Sequence, residues 1–99
     1  MPAYVVVEIE VTDPSKYEAY KHLAPASIKK YGGRYLVRGG GVETLEGNWS
    51  PKRFVILQFA TMQQAKAWWE SHEYREPKLL RQASARTQMI CVQGLDDGN

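Results

Sequence analysis

A two-layer α+β domain is predicted for this chain by three features. Its elements run strand, helix, strand, strand, helix, strand; its length leaves room for one core; and its strands are apolar on both faces. A chain of 99 residues folding alone hides about 60 to 70% of its unfolded surface, which suits a single domain. Hydrophobic content of 43% with 24% charged residues lies well away from the weakly apolar, highly charged compositions that stay disordered.

The first strand is read over Tyr4 to Val11, with Val5, Val7, Ile9 and Val11 on one face and Tyr4, Val6, Glu8 and Glu10 on the other. Thr12-Asp13-Pro14 then starts a helix: Asp13 accepts from orphan amides, and Pro14 lacks the donor that would be orphaned. Tyr17, Tyr20, Ala24, Ile28 and Tyr31 recur at three- and four-residue steps, so they form the sheet-facing stripe of a helix ending at Gly32-Gly33. Pro25 removes the bond to the Lys21 carbonyl, which predicts a kink or break around Leu23 to Ala26.

Arg34 to Arg38 and Arg53 to Phe59 read as an antiparallel pair of strands, joined by a connection punctuated by Gly39-Gly40-Gly41 and Glu46-Gly47-Asn48. Threonine at 61 with glutamine at 64 has capping-box form and opens a helix through Trp68 and Trp69. Ser71 caps a further helical piece over Tyr74 to Ala83, and Pro77 predicts that the two pieces are not collinear. Gln88 to Val92 is the fourth strand. The domain is expected over 1–94, with 95–99 a mobile tail.

This order is the split βαβ, or ferredoxin-like, arrangement: a four-stranded antiparallel sheet with helices on one face. Large apolar side chains remain on the other face whichever parity meets the helices, since Tyr4 and Val6 oppose Val5 and Val7 while Met89 and Cys91 oppose Ile90 and Val92. Such a patch marks an interface. Two sheets packed face to face about a two-fold axis would cover it, giving a homodimer.

Composition narrows the partners. A net charge of +2, with Lys29-Lys30 as the longest basic cluster, supplies no basic stripe for nucleic acid. The amino-terminal apolar run carries Glu8 and Glu10, so neither secretion nor membrane insertion is expected and a cytoplasmic location is. The lone Cys91 has no disulfide partner within the chain and reads as a small buried hydrophobe.

The segments Gly32 to Gly40, Leu45 to Trp49 with Pro51 and Arg53, and Ala65 to Trp69 with Ser71, Tyr74 and Arg81 together resemble the DUF1330 family, within the dimeric α+β barrel superfamily. The resemblance runs from about Tyr4 to Gly94. It implies the ferredoxin-like fold and homodimers joined through their sheets, with no established activity. Gln58 stands where that family typically has glutamate, Ala60 where it has proline, and His72 where proline is common.

Candidate chemistry centres on Arg38 and Arg53, which bracket the glycine-rich connection and fall on neighbouring strands. Two guanidinium forks so placed hold a carboxylate or phosphate. The competing reading pairs each arginine with an acid such as Glu8, Glu10, Glu43 or Glu46. Convergence on a cavity without acidic partners favours a ligand; a carboxylate on each favours a structural role.

Tyr17, Tyr20 and Trp69 are expected to wall the cleft between the first helix and the sheet, with Tyr20 or His22 as proton relays if chemistry occurs there. Asp13 is a further candidate base, although its capping role accounts for it. No cofactor is implied, and His22 and His72 lack ligand partners at metal-binding spacing. The function expected is a homodimer that binds or acts on a small anionic organic metabolite. A structural or regulatory dimer is the first alternative, and a cofactor-independent oxygenase, a class the wider superfamily contains, is the second.

Overall fold

The computed structural model describes residues 1–95, so residues 96–99 of the expected tail lie outside it. Its elements are β1 (Ala3–Val11), α1 (Pro14–Lys30), β2 (Arg34–Arg38), β3 (Arg53–Phe59), α2 (Met62–Trp69), α3 (His72–Ser84) and β4 (Ala85–Gln93). The sheet order is β2-β3-β1-β4 and each neighbouring pair is antiparallel. This is the predicted ferredoxin-like arrangement.

The β2 and β3 boundaries fall where the sequence puts them. β4 is longer than the expected Gln88 to Val92, because all nine residues of β1 pair with it, from Ala3 opposite Gln93 to Val11 opposite Ala85. Pairing with a central strand thus extends β4 back through Thr87 and Arg86 to Ala85, of which only Thr87 favours a strand on its own.

Alternation along the strands separates two faces. Val5, Val7, Ile9, Val55, Leu57 and Phe59 are buried beneath the helices, with Tyr17, Ala24 and Ile28 of α1 against them. Trp68 of α2 fills the centre, its ring 5.4 Å from that of Phe59 and 4.2 Å from that of Tyr74. Its Nε1 donates to Ser27 Oγ at 3.1 Å, so the one polar atom of the indole is satisfied inside the core.

Helix α1 ends in a Schellman turn: Gly33 N donates to the Ile28 carbonyl and Gly32 N to that of Lys29, with Gly32 at φ +77°. A β-carbon on Gly33 would lie 2.6 Å from Phe59 Cε1, so the chain also needs glycine there for close approach to the sheet.

Two proline expectations are corrected. Helix α1 runs unbroken through Pro25, because the Lys21 carbonyl that proline leaves without its helical donor receives Arg38 Nη2 at 3.0 Å from β2. Arg38→Ala should therefore cost about 1 kcal/mol in the native background. It should cost close to nothing once Pro25→Ala restores the helical donor, and urea melts of the four proteins in this cycle measure the difference.

The second correction concerns the cause of the break between the two helical pieces: they are separate helices, but Pro77 lies within a continuous α3, buried on the same face as Tyr74, Arg81 and Ser84. The helical break falls instead at Glu70 and Ser71. There Ser71 Oγ donates to the Trp68 carbonyl at 2.6 Å and accepts from Tyr74 N at 3.1 Å, ending one helix and capping the next.

The helices are also latched to each other. Glu73 accepts from Tyr31 Oη at 2.8 Å and meets Lys30 Nζ at 2.7 Å, and these two contacts hold its carboxyl down at about 2.

On the helix-free face, Ile90 is 60% and Val92 43% exposed. Part of the face is covered by the connection between β2 and β3: Trp49 Nε1 donates to Glu8 Oε2 at 2.9 Å and the ring meets Phe54 edge-on. Gln58 lies there too, accepting from Arg34 Nε and Nη2 at 3.3 and 2.9 Å, so the amide takes the bidentate contact that a carboxylate would take as an ion pair.

Candidate functional site

β2 ends at Arg38 and β3 begins at Arg53, and antiparallel pairing brings these two strand ends together, with Arg38 opposite Val55. Both side chains line a small cavity under α1 with Tyr17, Tyr20 and Tyr35. The Arg53 Nε donates to Tyr17 Oη at 3.0 Å. The Arg38 guanidinium lies 4.6 Å from the centre of the Tyr35 ring, a cation–π contact that leaves part of its fork uncommitted.

Gly39 makes room for this arrangement. It sits at φ +73°, and a β-carbon there would come within 2.9 Å of Arg53 Cζ, so the guanidinium occupies the space a side chain would fill. Its amide donates to the Phe54 carbonyl at 2.8 Å. Gly40 and Gly41 carry no such requirement, since neither has positive φ and neither would bring a β-carbon near another atom.

Among the described residues, no carboxylate reaches ion-pair distance of Arg38 or Arg53. Two of the anticipated acids are engaged elsewhere: Glu8 holds Trp49 and Glu10 holds Arg86 at 2.9 Å. The cavity itself is about 20 Å³, space for about one water molecule. A ligand's charged group therefore meets the arginines at the rim, and the aromatic walls close the space beneath.

A line of aromatic contacts, hydrogen-bonded from Tyr20 onward, runs inward from this mouth. The Tyr17 and Tyr20 rings are 5.4 Å apart, Tyr20 Oη lies 2.8 Å from Tyr74 Oη, and Arg81 Nε donates to Tyr74 Oη at 3.2 Å. Burial, reinforced by Tyr74, pushes the Tyr20 phenol far above its ordinary range. Burial likewise raises that of Tyr35. Tyr20 accordingly keeps its proton at physiological pH and is suited to hydrogen bonding rather than to work as a base.

The other anticipated site residues are not at the mouth. Trp69 is 40% exposed and lies beneath Lys78, whose Nζ is 3.7 Å from the ring centre; Trp68 is the indole that faces inward. His22 is exposed on α1. Asp13 caps α1 by accepting from Lys16 N at 3.2 Å. Among the described residues, no three His, Cys, Asp or Glu side chains converge as a metal site would require, and no helix is long and apolar enough to cross a membrane.

Two participants escape the sequence reading of the cleft. Tyr35 is one of a run of strand residues, and only its register opposite Leu57 turns it to the helix side. Arg81 is 4% exposed; its signal in the sequence is its spacing from Tyr74 and Ser84 at seven and three residues, which puts an arginine on the buried stripe of α3.

Four antiparallel strands, helices on one face and an arginine–tyrosine mouth define a ferredoxin-like α+β domain with one cationic rim. The chain belongs to the DUF1330 family, a domain of unknown function whose model matches residues 2–95. No curated protein matches it in sequence. Among solved structures it is similar to a protein of unknown function from Rhodopseudomonas palustris, at 18% identity and TM-score 0.76, over 96% of this chain and 83% of that one.

It is also similar to a dimeric ferredoxin-like protein of unknown function from Jannaschia sp., at 13% identity and TM-score 0.66, over 95% of this chain and 100% of the other. A third likeness is to SnoaB, a cofactor-independent oxygenase from Streptomyces nogalater, at 9% identity and TM-score 0.65, over 96% and 94% of the two chains. At these identities the likeness is one of fold.

Proposed function

We propose that the protein is a homodimer, joined through its helix-free sheet face, in which each subunit binds a small organic anion at the rim between α1 and the sheet. The observation that carries the ligand reading is that Arg38 and Arg53 share one mouth with no carboxylate on either among the described residues. Two cations set against aromatic rings, without counter-ions, form a fork for a carboxylate or phosphate group. The dimer reading rests on Ile90 and Val92 exposed beside Val6 and on the dimeric neighbour of the same fold.

A structural role for the arginines is the second reading, favoured by the Arg38 bond to the Lys21 carbonyl. An oxygenase-like activity has the SnoaB fold likeness behind it and no group in this mouth suited to remove a proton.

A thermal-shift screen of small di- and monocarboxylates and phosphorylated metabolites tests the ligand reading, since a ligand of the native state raises the melting temperature by mass action. Arg53→Gln should weaken the best hit by about 10-fold or more. Unchanged affinity in a folded Arg53→Gln protein would remove the anchor and leave the structural role. Sedimentation at micromolar concentration should show a dimer for the native chain and monomers for Ile90→Glu, whose carboxylate would be desolvated in the interface. A native monomer would overturn the dimer.

A further inference from the structure

A second cavity, of about 400 Å³, opens between α2, α3 and the edge strand β4, and Arg81 is part of its wall. We infer that this cavity is a binding site for a monocarboxylate carried on an apolar body, with Arg81 and Thr87 as the recognition pair. This site is distinct from the Arg38 and Arg53 rim and stands independently of it.

Arg81 is the main reason. It is 4% exposed, and among the described residues no carboxylate pairs with it. Its Nε donates to the Tyr74 hydroxyl at 3.2 Å. Its terminal nitrogens are not among the buried polar atoms left without a partner, so the guanidinium keeps some access to its surroundings, and a cation so little exposed with no carboxylate on it is open to an anionic partner. The phenol network does not supply the missing charge, because the Tyr20 hydroxyl is pushed far above its ordinary range by burial and stays protonated.

Thr87 gives the second, independent reason. Its Oγ1 is buried with no hydrogen-bond partner, on the β4 face that looks toward the helices opposite Ile9, and Thr87 lines the same cavity. Buried polar atoms are almost always satisfied, and an orphan hydroxyl in the wall of the cavity that Arg81 also lines is suited to a ligand that brings an acceptor. A carboxylate has the lone pairs to take a guanidinium and a hydroxyl together.

The remaining walls choose the rest of the molecule. Trp68, Met89 and Cys91 present an indole, a thioether and a thiol, and burial pushes the Cys91 thiol up, so it stays in its neutral, apolar form. Lys66 and Glu70 stand at the exposed rim with opposite charges, so the positive potential comes from Arg81 at depth. A volume of this size falls within the range of small-molecule sites, which are mostly apolar with a few polar anchors. An arylalkanoate or a medium-chain fatty acid has that chemistry.

Titration of the full chain with 3-phenylpropionate, benzoate and hexanoate, read by calorimetry and by tryptophan fluorescence, tests the site. At least one acid should bind, and the corresponding amides should bind at least about 50-fold more weakly. Arg81→Met, which keeps the length and loses the charge, should weaken the acid by about 50-fold. Thr87→Val should weaken it by about 5-fold and serves as the probe if Arg81→Met does not fold.

Failure of all three acids to bind at millimolar concentration would overturn the inference, as would equal binding of acids and amides. So would a loss of binding in Arg53→Gln with none in Arg81→Met or Thr87→Val, which would move the ligand to the other mouth.

Discussion

Trp68→Ala is expected to cost about 4 kcal/mol and to lower the melting temperature by roughly 20 °C. The indole is 1% exposed and is stacked between Phe59 and Tyr74, two rings held by different elements, so neither can follow the retreating side chain into the void. The cost is one of packing. Ser27 Oγ, which accepts from the indole, also donates to the Ala24 carbonyl at 2.8 Å and is not left unpaired. Trp69→Ala should cost less than about 1 kcal/mol, because that ring is partly exposed and its main contact is with the Lys78 side chain. Urea unfolding of the two alanine variants measures the contrast, and equal losses would mean that α2 sits in a different rotation about its axis.

That pair of tryptophans shows where the sequence stops being legible. Ala65 is three residues from Trp68 and four from Trp69, and both steps keep a residue on one helical face. Periodicity therefore points to either indole, and an eight-residue helix is too short to average the ambiguity away. The expectation that Trp69 walls the cleft fails for this reason. By contrast the bounds of β2 and β3 are legible to the residue. Apolar and aromatic side chains fill the middle of both strands, the Schellman glycines Gly32 and Gly33 stop α1 just before β2, and Gly39 turns the chain just after it.

The two prolines teach a related lesson. A proline inside a helix predicts a break from local chemistry, and at Pro25 the prediction fails because a residue far along the chain, Arg38, satisfies the carbonyl. No local pattern carries that information. The same holds for α3, where Leu79 is 58% exposed while Arg81 is buried, an inversion of the hydrophobic pattern. Residue type alone sends arginine to solvent. Its burial becomes intelligible only once Tyr74, on the same stripe, is seen to hold the guanidinium from one side.

The Tyr74 hydroxyl is thus the hinge of the polar core, and its removal should be costly in a way that a second substitution repairs. Tyr74→Phe is expected to cost about 3 kcal/mol, because it strips Arg81 Nε of its acceptor and Tyr20 Oη of its partner while leaving the buried cation in place. Arg81→Met alone should change stability by less than about 1 kcal/mol: the desolvated charge goes with the hydrogen bond, and Tyr74 keeps Tyr20. In the double variant no guanidinium remains to be orphaned, so the loss should shrink to about 1 kcal/mol, a coupling of about 2 kcal/mol or more. Simple addition of the two single losses, measured by urea denaturation at one pH, would show that Arg81 finds its compensation elsewhere. Arg81 also lines the cavity between α2, α3 and β4, so the same measurements bear on the charge available to that cavity.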